Sequence, residues 1–230
     1  MTLHARVFEA LGTVYDPELD EPITTLGFVG SCVVEGDDVS VRLRLPTPQC
    51  APNFAFLMAA DARTAVRRLP EVREVTIVLE DHYTGAEINA AVGRDEGFDS
   101  AFPGETAGDL DALRELFQRK ALLARQARLC QALLATGASP EEVVAMRVAD
   151  LPDSSEAVRS VALRATLGLS HGPDAPALVA GDGAALTASE LHGWLRRARL
   201  VSLSLEANGG ICRDLLRVRY GISNEEEVAA

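Results

Sequence analysis

No apolar run in this 230-residue chain approaches the roughly 18 residues that a membrane-spanning helix needs, so a transmembrane reading is excluded. The opening residues, MTLHARVFEALGTVYDPELD, have no charged start followed by an apolar stretch and a small-residue cleavage site, and a cytoplasmic protein is expected. Lysine is almost missing: Lys120 stands alone among 22 basic residues, against 34 acidic ones. The net charge of −12 argues against nucleic acid as the main partner, because phosphate binding needs a concentrated basic surface. The deficit lies mainly at the front, where residues 1–100 hold 8 Arg against 17 Asp and Glu. Paired cysteines are lacking too. Cys32, Cys50, Cys130 and Cys212 lie 18, 80 and 82 residues apart, which fits neither a zinc ribbon, nor a thioredoxin-type motif, nor a self-contained four-cysteine cluster loop. Separate thiols are expected rather than disulfides.

What is present is enough for a real core, since 47% of the residues are hydrophobic. Leu3, Val7, Leu11 and Val14 recur at helical spacing, which predicts a helix over 3–14. Asp16-Pro17-Glu18-Leu19-Asp20 ends it. Phe28–Val34 and Val39–Leu45 flank Gly36-Asp37-Asp38 as a hairpin, the second strand alternating apolar and polar residues. Pro52 opens a helix over 53–69, and Val72–Leu79 reads as a third strand. The order helix–strand–strand–helix–strand predicts an α/β (α+β) domain with a small three-stranded sheet over residues 1–92. Residues 93–108, rich in Gly and acid, read as a linker, and 109–222 as a mostly α-helical domain ahead of a flexible tail, 223–230. Within the helical part, Ser139-Pro140-Glu141-Glu142 and Thr187-Ala188-Ser189-Glu190 have capping-box spacing, and Asn208-Gly209-Gly210 is expected to break the chain before Ile211.

Cys50 carries the most chemistry. Two residues before Pro52, it is expected at a helix N-terminus, where backbone N–H groups and the positive dipole end stabilise a thiolate. Thr47 lies in the same loop and the flanking prolines stiffen it; the alternative is an inert thiol tucked under the helix. Asp16 and Glu18 sit in a turn preset by Pro17. If that turn shares a sheet end with Cys50, the carboxylates and the thiolate supply hard and soft ligands for iron. Otherwise they are solvated turn acids. His82, past the third strand, is a further ligand or proton carrier, with Asn89 in support, or else a surface residue. Cys32, Cys130 and Cys212 read as packing thiols.

Taken together, DPELDEPITTLGFV, the hairpin and LPTPQCAPNFAFLMAADA resemble the iron–sulfur cluster assembly domain shared by bacterial SufT and PaaD and by the eukaryotic cytosolic cluster-targeting factor. The resemblance covers residues 4–90 and implies a site at Asp16, Glu18, Thr47 and Cys50. This chain departs from the family loop at Pro48 and Ala51, where a Ser or Thr and a Pro are usual. With its extra helical part it resembles longer relatives encoded beside bacterial di-iron monooxygenases. The resemblance implies a non-enzymatic maturation factor with iron or a transient iron–sulfur cluster as cargo. Its implied partner is a client metalloenzyme, such as a di-iron monooxygenase; the charge and the lack of a spanning run point to neither nucleic acid nor membrane as a partner. One cysteine cannot hold a four-cysteine cluster, so a cluster would be transient, bridged across a homodimer, or completed by the client. A metal-free chaperone or interaction subunit of an oxygenase complex is the alternative, followed by a thiol enzyme using Cys50. The run from LLATGASPEEVVAMRVADL to LHGWLRRAR is similar to the helical domain of tyrosine recombinases, but Ala138-Ser139 replace the Arg after Thr-Gly, and a docking module is the expected role.

Overall fold

The computed structural model describes residues 1–104 and 110–222. It has two compact units: Met1–Ala112 together with the chain from Ala207, and Leu113–Glu206. In the first unit, α1 (Leu3–Leu11) is capped by Thr2, whose hydroxyl accepts from Ala5 N, and it buries Val7 and Leu11. It stops short of the expected 14 because Gly12 ends it; Val14 is still buried from the following turn. The acidic turn is closed by a short antiparallel pair, β1 (Tyr15–Asp16) with β2 (Glu21–Pro22).

The hairpin forms as expected, β3 (Val29–Glu35) against β4 (Asp38–Arg44), with Gly36 at φ +62 supplying the left-handed turn residue. Next, α2 (Pro52–Arg67) crosses over to β5 (Glu74–Glu80), which pairs parallel with β4, so the order is β3-β4-β5 with β4 central. Val39, Val41 and Leu43 stand opposite Val75, Ile77 and Leu79, all buried, as the period-two pattern predicts. The α2 residues Ala55, Leu57, Met58, Ala62 and Val66 are buried as well, and α2 packs against β5 and α1. This is the predicted α/β unit with its three-stranded sheet.

The first unit runs past residue 92. Two further helices follow, α3 (Gly85–Gly93) and α4 (Phe98–Ala101). Phe98 and Phe102 are buried, and the Phe98 ring meets that of Phe56 edge-on at 5.4 Å between centroids. Asp95, at φ +57, is held by Arg63 at 2.9 Å and Arg67 at 2.6 Å, which lower its pKa to about 2. Residues 93–104 are therefore packed, because two aromatic anchors outweigh the Gly-and-acid composition that reads as a linker. Residues 105–108 of that linker, Asp109 and the tail 223–230 lie outside the described residues.

The helical part continues with α5 (Asp111–Ala135), α6 (Pro140–Ala145), α7 (Ser155–Thr166) and α8 (Ala188–Tyr220). The capping box at α6 is complete: Glu142 N donates to Ser139 Oγ and Ser139 N to Glu142 Oε2. In the Leu113–Glu206 unit, Ala127, Cys130, Val143, Leu178, Leu191, Trp194 and Ala198 form the core. The expected break at Asn208-Gly209-Gly210 is absent, and α8 runs through it. Glycine only weakens a helix, and Gly209 has a packing reason: a Cβ there would stand 2.8 Å from Glu21 Oε1. No helix among the described residues is long and apolar enough to cross a membrane.

Candidate functional site

Parallel pairing of β4 and β5 makes both strands leave the sheet at the same end. The loop after β4 runs through buried Leu45 to Cys50 and into α2, and the loop after β5 holds Asp81-His82-Tyr83. The two are stitched together by backbone acceptors. Tyr83 N donates to Pro48 O at 3.1 Å, and His82 Nε2 lies 2.7 Å from Cys50 O. Thr84 N donates to His82 Nδ1 at 3.3 Å, which makes Nδ1 the acceptor and Nε2–H the donor to Cys50 O. Asn89, on α3, steadies the strand below by accepting from Leu79 N at 2.8 Å and donating to Leu79 O at 3.1 Å.

Cys50 closes a turn through Cys50 N to Thr47 O, 3.4 Å, and its half-buried sulfur lies 3.5 Å from the Thr47 hydroxyl. It precedes α2 as expected. The cap residue Ala51 offers no side-chain acceptor, Pro52 has no N–H, and Asn53 Oδ1 accepts from Phe54 N at 2.9 Å.

Asp16 is buried inside its turn, not solvated. Its Oδ1 accepts from Glu18 N at 2.8 Å and Leu19 N at 2.9 Å. Burial raises its pKa to about 6 against those two hydrogen bonds, with a smaller push from the charges of Glu18 and Glu21. A buried carboxyl that titrates near 6 is the kind of group found at functional sites.

The last turns of α8 bring in a residue that the sequence reads only as packing. Arg213 pairs with Glu21, Leu216 is buried beside Gly27, and Arg219 donates to Leu45 O at 3.0 Å and to Asp81 O at 2.7 Å. These contacts set one helix face over the acidic turn and the Cys50 loop. Half-buried Cys212 belongs to that face. Its thiol is raised to about 11, first by burial and then by the charges of Asp16, Cys50 and Glu18, with Arg213 opposing. Asp16, Glu18, Cys50 and Cys212 thus share one neighbourhood, while both His82 ring nitrogens are engaged with backbone and Thr84. Among the described residues, no three of His, Cys, Asp and Glu converge as a ready-made cage for a metal ion. The hint of Cys212 in the sequence was the spacing of Arg213, Leu216 and Arg219 on one helical face, but nothing local says which surface that face meets.

Residues 4–77 match the iron–sulfur cluster assembly protein family, a segment that includes Asp16, Glu18, Thr47 and Cys50. An iron–sulfur cluster carrier protein of Deinococcus radiodurans is 34% identical over 85 residues, 37% of this chain but only 22% of that protein. An uncharacterized protein of Methanocaldococcus jannaschii is 35% identical over 85 residues, 36% of this chain and 86% of that protein. Through these residues, the chain belongs to the iron–sulfur cluster assembly protein family.

Proposed function

We propose that this protein is a non-enzymatic carrier or maturation factor that takes up an iron–sulfur unit at Cys50 and passes it to a client metalloenzyme. The observation that carries the reading is the Cys50 loop. It lies within the family-matched segment, its sulfur is 3.5 Å from the Thr47 hydroxyl, and its backbone is held at Pro48 O and Cys50 O by the loop after β5. A hydroxyl so placed donates to a thiolate and fixes its direction. Similarity to a cluster carrier protein supports delivery rather than turnover.

The cluster is cargo, and common clusters take four thiolates. Cys50 supplies one, and Cys212 stands as a second. The others come from a second copy of the chain or from the client, and a partly ligated cluster is one that leaves readily. Asp16 and Glu18 offer carboxylate oxygens for iron in the same neighbourhood. A di-iron monooxygenase is the client class we favour, on the resemblance of the two-part chain to relatives encoded beside such enzymes. Thiol catalysis is disfavoured because it needs a base at the sulfur, and His82 donates instead to the carbonyl of Cys50.

Anaerobic reconstitution of the full chain with ferrous iron and sulfide tests this. Expected are retained iron, visible charge-transfer absorption and transfer to an apo-acceptor, all lost in Cys50→Ser. Absence of iron retention and of visible absorption in the wild-type chain would sink the carrier reading in favour of a metal-free interaction subunit.

A further inference from the structure

The Leu113–Glu206 unit holds a cavity of ≈ 310 Å³ between α5, the first turns of α8 and the Val179–Gly181 segment. That is at the small end of the range for small-molecule sites. Leu116, Leu122, Leu123 and Trp194 make most of its wall apolar. Its charged lining is all of one sign, Arg119, Lys120 and Arg197, with no Asp or Glu among the lining residues of a chain whose acids outnumber its bases by 34 to 22.

The wall also leaves one polar group unanswered. Trp194 is 3% exposed, and its indole Nε1–H meets no acceptor among the described residues. A buried donor without a partner is uncommon in a native protein and calls for an explanation. Gln126, the other buried polar group of the wall, is satisfied, accepting from Val179 N at 2.8 Å and donating to Val179 O at 3.3 Å. The indole N–H is itself covered, so what the cavity offers a ligand is a mostly apolar wall with the cationic side chains of Arg119, Lys120 and Arg197.

We infer that this cavity binds a small amphipathic carboxylate, with its apolar body against Leu122, Leu123 and Trp194 and its anionic oxygens toward Lys120 and Arg197. Two observations converge on that class: the wall suits an apolar body, and the cationic side chains select a negative charge. The inference is independent of the Cys50 reading, since every residue it uses lies between Leu113 and Glu206.

Trp194 is the chain's single tryptophan, so its emission reports on this wall alone. The full chain is titrated with octanoate and, separately, with octan-1-ol, and both are repeated by calorimetry. A saturable emission change with octanoate is expected, with octan-1-ol about tenfold weaker because it forfeits the charge-assisted contacts. In the double variant Lys120→Gln, Arg197→Gln, octanoate should fall to the level of octan-1-ol with far-UV circular dichroism unchanged. No saturable binding of octanoate overturns the inference. So does equal binding of acid and alcohol, or a charge variant that binds octanoate as the wild type does.

Discussion

The imidazole of His82 holds Cys50 by its backbone: Nε2 lies 2.7 Å from the Cys50 carbonyl oxygen, while Nδ1 accepts from Thr84 N. On the carrier reading proposed above, a histidine that holds a backbone carbonyl is a latch, and its removal should loosen the loop without erasing cargo binding. His82→Ala is expected to lose about 1–2 kcal/mol in urea denaturation, the usual loss when a half-buried hydrogen bond is broken. Reconstituted absorption should fall only in part. A loss as complete as in Cys50→Ser would make His82 a ligand instead.

Cys212 should behave as a shielded thiol. With its pKa raised to about 11, it is expected to alkylate slowly with iodoacetamide at pH 7 and progressively faster toward pH 11, followed by peptide mapping. If it contributes to cargo binding, Cys212→Ser retains less iron and sulfide than the wild type but more than Cys50→Ser. Wild-type loading in Cys212→Ser would return that residue to a packing role.

Asp16 gives a pH dependence with a definite sign. Its native pKa of about 6 lies above the ordinary 3.8, so the folded state holds this proton more tightly than the unfolded state. The associated stability is fully present below pH 3.8 and is lost as the pH rises through about 6. Asp16→Asn keeps an acceptor for Glu18 N and Leu19 N but has no charge to bury. In the metal-free protein it should therefore be more stable than wild type at pH 7, by at most about 3 kcal/mol, and no more stable at pH 3.5. Thermal denaturation at the two pH values measures this; equal stabilisation at both would mean that Asp16 is not held protonated by burial.

Adjacent glycines in α8 should answer differently to the same substitution. A Cβ at Gly210 meets nothing within 4 Å, whereas at Gly209 it would stand 2.8 Å from Glu21 Oε1. Gly210→Ala is expected to stabilise by up to about 1 kcal/mol through helix propensity alone. Gly209→Ala should gain less, because Glu21 must withdraw from Arg213. In a Glu21→Ala background the two gains should become equal, which a double-mutant cycle reads directly.

Much of this architecture is visible in the residues themselves. Val39, Val41 and Leu43 alternate because one sheet face is buried, and Ser139 and Glu142 cap α6 with side chains close in sequence. The Cys50 loop is legible for the same reason, since Thr47 meets Cys50 three residues on and Pro52 opens the helix directly after them. What stays hidden depends on which surfaces meet. Phe98 and Phe102 look like linker residues until Phe56 is beside them, and Cys212 looks like helix packing until Arg213 and Arg219 find the acidic turn and the loops after β4 and β5. The direction of His82 was equally out of reach, because its acceptor is a backbone carbonyl, which any residue carries.

The parallel pairing of β4 with β5 also orders events in time. Hairpin β3–β4 closes over a two-residue turn, but Leu43 meets Leu79 only after the whole of α2 has been threaded between them. Such non-local closure is slow relative to hairpin and helix formation. Cys50 is also made 32 residues ahead of His82, so during synthesis the thiol exists before its latch does. A chain caught between those stages presents an unguarded sulfur, so oxidative damage during synthesis should fall more heavily on this cysteine than on the same residue in the finished fold.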